Sequence, residues 1–308
     1  MKVLVATDKP FAPVAVTQIR EVTEKGGHTL ALLEKYKTPQ ELHAAAADAD
    51  AMIVRSDIVD AALIAAAPKL KIVVRAGAGY DNLDLQACTA RNIVAMNTPG
   101  QNSNAVAELA FGMMIYAARG GFDGKTGSEL LGKSLGLHAF GAVGKCMARI
   151  AAGFGMKVYA FDPFVDKKII AESGVTAVNT VEELYSSCQY VSLHIPANDK
   201  TKNSIGEKLL SLMPGGAVLV NTARKEVINE TELAALMEKR TDMKYLSDIA
   251  TDNAELFAAR FAGRYFFTPK KMGAQTEEAN INSGVAAARQ IVDFFATGNE
   301  KFRVNKPK

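Results

Sequence analysis

A chain of 308 residues is long enough for two domains of ordinary size, each with a core of its own. Its 48% hydrophobic and 22% charged residues are the composition of a soluble globular protein, and a net charge of +3 with no basic run or basic-aromatic stripe excludes a nucleic-acid surface. No stretch could span a bilayer, the apolar run in MKVLVATDKP is too short for a signal peptide, and three widely spaced cysteines (Cys88, Cys146, Cys188) without nearby histidines read as buried thiols in a reducing, cytoplasmic compartment.

The first third of the chain alternates short apolar strands with helices. Strands are predicted at Lys2–Ala6, Thr29–Leu33, Ala51–Val54 and Ile72–Val74, with helices at Pro13–Lys25, Pro39–Ala47 and Ala61–Ala67. That alternation, with strands that are almost wholly apolar, points to a parallel, doubly wound sheet covered on both faces. In such sheets ligands bind at the carboxyl ends of the strands. Those ends carry Lys9, then Lys35 and Lys37, then Arg55, then Arg75. The lysines read equally as ligand groups or as ordinary loop residues. Arg55 and Arg75 follow directly on buried strands, where a guanidinium fork matches carboxylate or phosphate oxygens. Gly77 and Gly79 open a turn beside Arg75 that can present amides to a carboxylate.

From Asn97 the composition shifts, and a helix from Asn102 to Arg119 is apolar nearly all round, which predicts burial between domains or between subunits. A glycine-rich linker, 120–132, leads to Ser134–Asp162, which reads as strand, glycine turn, amphipathic helix and strand. The helical face is Val143, Met147, Ile150, Ala151 and Phe154. Gly141 and Gly144 take the second and third positions of a G-x-G-x-x-G turn, and Ala139 takes the first. The backbone of Gly141, Ala142 and Val143 is thereby placed to receive a pyrophosphate at a helix N-terminus. Asp162, 18 residues after Gly144, ends the second strand, where a carboxylate accepts ribose hydroxyls and repels a 2′-phosphate, favouring NAD over NADP. An ordinary packed β-α-β unit with a surface acid is the alternative. Further strands follow at Tyr190–Leu193, Ala217–Asn221, Lys244–Ile249 and Tyr265–Thr268. A final helix, Glu277–Thr297, has no strand after it and is expected to return to the first domain. The expected division is 1–99 with 270–308 for the substrate and 100–269 for the nucleotide.

Five phrases then stand in order along the chain: VVRAGAGYDNLDL, NTPGQNSNAVAELAFGMM, VSLHIPAN, LVNTARKEVINE and TPKKMGAQTEEA. With them the chain resembles the D-2-hydroxyacid dehydrogenases over essentially its whole length, and within that family the short phosphoglycerate dehydrogenases without a regulatory domain. The fold implied is α/β, a Rossmann NAD domain inserted into a flavodoxin-like substrate domain. The resemblance implies reversible NAD-linked oxidation of 3-phosphoglycerate to 3-phosphohydroxypyruvate, the first step of serine synthesis. It also implies a homodimer built on the apolar helix and weak or no inhibition by serine. By position it makes Arg224 the residue holding the substrate's carboxylate and carbonyl oxygens. Thr222 and Ala223 become the backbone beside the nicotinamide ribose, and Asp248 the acid meeting the carboxamide. His194, Ile195 and Pro196 form the turn under the adenosine and pyrophosphate. Arg55, Arg75, Ala76, Gly77 and Asn102 line the substrate side, with Ala78 near the nicotinamide.

The chain departs from that pattern at the proton-transferring histidine and its glutamate. After Thr268-Pro269 come Lys270 and Lys271, and no histidine follows His194. Counting from the proline places Lys270 in the histidine's position. Counting back from Gly273-Ala274, with the more rigid helix as reference, favours Lys271. Asn253 falls at the glutamate's place, with Asp252 the near substitute. Only a neutral lysine accepts a proton, and its ordinary pKa is about 10.4. Losing a carboxylate partner while gaining a cationic neighbour moves the amine toward neutrality. A lysine acid-base variant is therefore expected. The rivals are a glyoxylate, hydroxypyruvate or D-lactate reductase on the same fold, and a non-catalytic NAD(H)-sensing protein.

Overall fold

The structure, a computed structural model, describes residues 1–305. The chain divides into two units: Met1–Asn102 together with the chain from Gln275 onward, and Ser103–Ala274.

In the first unit, strands β1 (Lys2–Thr7), β2 (Thr29–Glu34), β3 (Ala51–Val54), β4 (Ile72–Arg75) and β5 (Val94–Asn97) alternate with α1 (Pro13–Lys25), α2 (Pro39–Ala46), α3 (Ala61–Ala66) and α4 (Leu85–Ala90). All pair in parallel in the order β2-β1-β3-β4-β5. The order reverses between β1 and β3, which makes the carboxyl ends of those two strands the switch point where such sheets bind ligands. One sheet face packs on Leu42, Leu63, Ile64 and Cys88. The other packs on Ile19 of α1 and on Val285, Ala287, Ala288 and Ile291 of the final helix, Glu277–Thr297, which returns to this sheet. Thr276 caps that helix by accepting from the Ala279 amide at 3.1 Å, and Gly298 ends it at φ +74°. β5 has no counterpart in the sequence reading. It is four buried residues, VAMN, ending at Asn97, where the sequence shows a change of composition.

The second unit opens with α5 (Ser103–Ala118). Then come β6 (Ser134–His138), α6 (Ala142–Gly153), β7 (Lys157–Phe161), α7 (Lys167–Glu172), β8 (Thr176–Ala177), α8 (Val181–Ser187) and β9 (Tyr190–Leu193). It closes with α9 (Glu207–Leu210), β10 (Val218–Asn221), α10 (Glu230–Lys239), β11 (Lys244–Ser247), α11 (Ala254–Arg260) and β12 (Tyr265–Phe267). The parallel order is β12-β11-β10-β9-β6-β7-β8, with its reversal between β6 and β9. The apolar girth of α5 is used within this unit. Ala107, Ala110, Phe111, Met113 and Met114 join Leu135, Leu137, Met147 and Val220 in one core, and Phe111 stacks on Phe154 at 5.2 Å. A subunit interface is therefore not needed to explain why this helix is apolar. The expected two doubly wound parallel sheets are the observed architecture.

Candidate active site

In the first unit the predicted cations behave differently from one another. Arg55, just past β3, donates from Nη1 to the carbonyls of Lys9 (2.8 Å) and Pro10 (3.0 Å) and from Nη2 to Asn280 Oδ1 (2.6 Å), while its guanidinium stacks 5.1 Å over Phe11. These bonds tie β3 to the loop after β1 and to the final helix. An arginine chosen from sequence as an anion ligand is thus engaged as a brace across the switch point. Arg75 ends β4 and donates from Nε to the Arg55 carbonyl at 3.0 Å. Its guanidinium lies where a Cβ on residue 77 would stand, and Gly77 itself holds φ +151°, a backbone that favours glycine. The Ala76 amide goes to Val54 (2.8 Å) and the Gly77 amide to Arg75 (2.9 Å). Among the described residues the amides of Ala78 and Gly79 have no such partner, and they are what this turn can offer to an oxyanion. The Ala78 carbonyl is fixed by Asn97 Nδ2 at 2.6 Å. Asn102 closes the unit, one residue before α5. A groove of about 570 Å³ in this unit is lined by Met96, Gln101, Arg289 and Lys301 and by none of the predicted site residues.

In the second unit the three positions of the glycine motif differ in kind. Ala139 adopts φ +86°, the left-handed backbone a glycine would supply. A Cβ on Gly144 would sit 2.6 Å from the Ala139 carbonyl oxygen, so that glycine serves helix-to-turn packing. A Cβ on Gly141 meets nothing within 4 Å, and this residue is the N-cap of α6. Open space thus faces the unpaired amides of a 12-residue helix, the arrangement a pyrophosphate needs. Asp162 accepts from the amides of Phe140 (2.8 Å) and Phe164 (2.9 Å), which locks it beside the turn. A carboxylate offers about four acceptor positions, so two remain for ribose hydroxyls. On the neighbouring strand ends, His194 Nε2 and the Thr222 hydroxyl are buried without a partner among the described residues. Orphaned polar atoms and the open space before α6, at one sheet edge, fit a dinucleotide. Pro196 follows His194 in the same loop, its carbonyl accepting from Thr201. Burial holds the His194 imidazole down to about 3, with neighbouring His138 adding to the shift. His138 is itself pushed down to about 4 by burial. Both rings are neutral at physiological pH and cannot serve as acids there.

After β10 the chain makes a tight turn braced by Asn221. Its Oδ1 accepts from the Ala223 amide (3.0 Å) and its Nδ2 donates to the Arg224 carbonyl (3.0 Å). The turn brings Arg224 Nη1 to 3.1 Å from the Ala223 carbonyl oxygen, and Lys271 Nζ donates to the same oxygen at 2.6 Å. Two residues distant in sequence thereby place their cationic heads on one atom. Lys270 contributes its carbonyl to Thr268. Asp248 is 2% exposed, and its oxygens accept from the amides of Met272 (2.8 Å) and Gly273 (2.8 Å), with the Thr268 hydroxyl at 3.1 Å. The acid expected to meet a carboxamide is engaged by the turn that carries Lys271. Asp252, the expected substitute for the missing glutamate, pairs instead with Lys225 at 2.5 Å, and Asn253 begins α11 with its amide on Glu230. Asn221 was not singled out from sequence, although it immediately precedes the Thr-Ala-Arg run that it braces.

Residues 100–260 match the D-isomer specific 2-hydroxyacid dehydrogenase NAD binding domain. The chain belongs to that family. It is 35% identical to D-3-phosphoglycerate dehydrogenase of Methanocaldococcus jannaschii over 273 residues, 82% of this chain and 51% of that one. With the Rattus norvegicus D-3-phosphoglycerate dehydrogenase it shares 32% identity over 289 residues, 89% and 54% of the two chains. The chain thus spans about half the length of the curated relatives it matches. Among solved structures it is similar to the NAD+-bound 3-phosphoglycerate dehydrogenase of Entamoeba histolytica, with 49% identity, a TM-score of 0.88 and 99% of each chain covered. Apo D-lactate dehydrogenase of Escherichia coli, 22% identical with a TM-score of 0.77, shares the fold. No helix among the described residues is long and apolar enough to cross a membrane.

Proposed function

We propose that the protein is an NAD-dependent D-3-phosphoglycerate dehydrogenase whose proton-transfer group is Lys271, acting as a cytoplasmic homodimer. The observation that carries this reading is the convergence of Arg224 and Lys271 on the Ala223 carbonyl. It puts an anion-holding fork and a proton carrier side by side, at the strand edge that also bears the NAD cradle. Arg224 holds the carboxylate and the C2 oxygen of the substrate. In oxidation the neutral Lys271 amine takes the proton from the C2 hydroxyl. In reduction its ammonium returns that proton to the C2 oxygen, while Arg224 stabilises the charge that develops there. NAD held at that cradle would supply or accept the hydride at C2. The names of the relatives, at 32–49% identity, support a phosphorylated acid as substrate.

A reductase of unphosphorylated 2-keto acids is favoured by one specific observation. Arg55, the strongest candidate for a phosphate contact, already donates three hydrogen bonds within its own unit. The deciding experiment is NADH oxidation with 3-phosphohydroxypyruvate and with hydroxypyruvate at equal concentration. The expected result is a kcat/KM at least about tenfold higher for the phosphorylated acid, the worth of one charge-assisted hydrogen bond. Equal or reversed values would leave a general 2-keto acid reductase.

A further inference from the structure

We propose that Asp248 is a positioning residue that clamps the turn 268–273 and thereby sets the Lys271 amine against the Ala223–Arg224 turn. This rests on Lys271 being the proton-transfer group. The carboxylate grips the turn on both sides of the two lysines. The Thr268 hydroxyl, its one proton shared with the Lys270 carbonyl at 2.9 Å, stands 3.1 Å from Oδ1 before them, and the Met272 and Gly273 amides bind Oδ1 and Oδ2 from after them. A Cβ on residue 273 would stand 2.8 Å from Asp248 Oδ2, with Val106 at 3.4 Å and Leu109 at 3.6 Å. Asp248 also hangs from the residue that braces the facing turn, since its own amide donates to the Asn221 carbonyl at 2.9 Å. Asn221 in turn holds Ala223 and Arg224 by its side chain. At the ends of the paired strands β10 and β11 the Asn221–Asp248 hydrogen bond joins the two turns, and the 2.6 Å contact of Lys271 Nζ with Ala223 lies between them. A lysine side chain has four rotatable bonds and no rigid ring, so it needs its backbone anchored more firmly than a histidine would.

Asp248→Asn tests this, because an amide keeps one acceptor oxygen and must turn an NH2 toward a backbone N–H that needs an acceptor. The expected result is a kcat about 10- to 100-fold lower, the usual cost of displacing a catalytic group by about 1 Å. NADH Kd, read by fluorescence titration without turnover, is expected to stay within about twofold, since the cradle at Gly141 and Asp162 is untouched. Gly273→Ala, which leaves the carboxylate in place but pushes the turn off it, is expected to do the same, and it carries the test if Asp248→Asn does not fold. The decisive readout is the double variant. In a Lys271→Ala background, Asp248→Asn should lower kcat no further, because the two residues act through one group. Equal losses in both backgrounds, or an NADH Kd weakened tenfold with kcat retained, would overturn the clamp and return Asp248 to the cofactor. Wild-type kcat in Gly273→Ala and Asp248→Asn beside an inactive Lys271→Ala would also overturn it. Full kcat in Lys271→Ala would instead overturn the acid-base role itself, and with it any purpose for the clamp.

Discussion

Ala139 holds its backbone at φ +86°, a conformation that costs an L-residue about 1–2 kcal/mol. Replacing it with glycine would relieve that strain but add back unfolded-chain entropy of about 0.4–1 kcal/mol and remove a methyl packed on the core of the second unit. These terms largely offset, and the backbone that a pyrophosphate would meet is already in place. Ala139→Gly is therefore expected to leave NADH Kd within about threefold of the parent and stability within about 1 kcal/mol. Gly141→Ala should act in the opposite sense, weakening NADH at least tenfold while barely moving Tm, because its Cβ enters empty ligand space rather than protein. Fluorescence titration beside thermal melts checks both, and a tenfold gain in affinity for Ala139→Gly would sink the argument. At this scale sequence reasoning located the motif but could not assign each position its task, since φ angles and Cβ clearances are properties of the folded turn. Arg55 shows the same limit. Its place after a buried strand was legible, but the Lys9 and Pro10 carbonyls that occupy it come from another strand's loop.

The central strands of the second unit, β6 and β9, run to adjacent ends that carry His138 and His194. Their burial has a consequence for stability. Both imidazoles are held well below their ordinary value of 6.5, so above that pH both the folded and unfolded chains carry them neutral and nothing is gained or lost. As pH falls through 6.5 the unfolded chain takes up protons that the folded chain refuses, and stability declines until the folded values near 4 and 3 are reached. From pH 7 to 5.5, above the range where carboxylates titrate, the expected loss is about 2 kcal/mol in urea unfolding for the two rings together. His194→Gln should remove roughly half of that pH dependence. A flat profile across the window would mean that the rings protonate in place. Strands such as Ala51–Val54 and Tyr190–Leu193 were legible to the residue because each is a short, mostly apolar run bounded by polar residues. The final helix was legible in its extent, and its return to the first sheet followed from having no strand after it. The two-residue β8 was not, because at that length a strand is made by its neighbours' hydrogen bonds rather than by its own pattern, and the buried run of β5 merges with the composition change at Asn97.

Each of the four buried clusters draws all its residues from one unit, so each unit carries a complete core on both faces of its sheet. The expectation is that the units open independently, and the cysteines are placed to report it. Cys88 is buried in the first unit and Cys188 in the second, and burial pushes their thiols up to about 11 and about 12. Neither offers a thiolate near pH 8 in the folded state, so labelling by an aromatic disulfide requires opening, whereas the partly buried Cys146 is expected to react faster and is read separately. On the proposed reading NAD binds at the second unit's glycine turn and Asp162, and a ligand at 100 times its Kd stabilises the species that binds it by about 2.7 kcal/mol. Saturating NADH at that ratio should therefore slow Cys188 labelling about 100-fold and leave Cys88 unchanged. Mass spectrometry of the labelled peptides separates the two sites. Equal protection of both would show one cooperative unit in which cofactor energy reaches the first sheet as well. Protection of neither would place NADH binding away from the fold's opening, against the cradle assigned to Gly141 and Asp162.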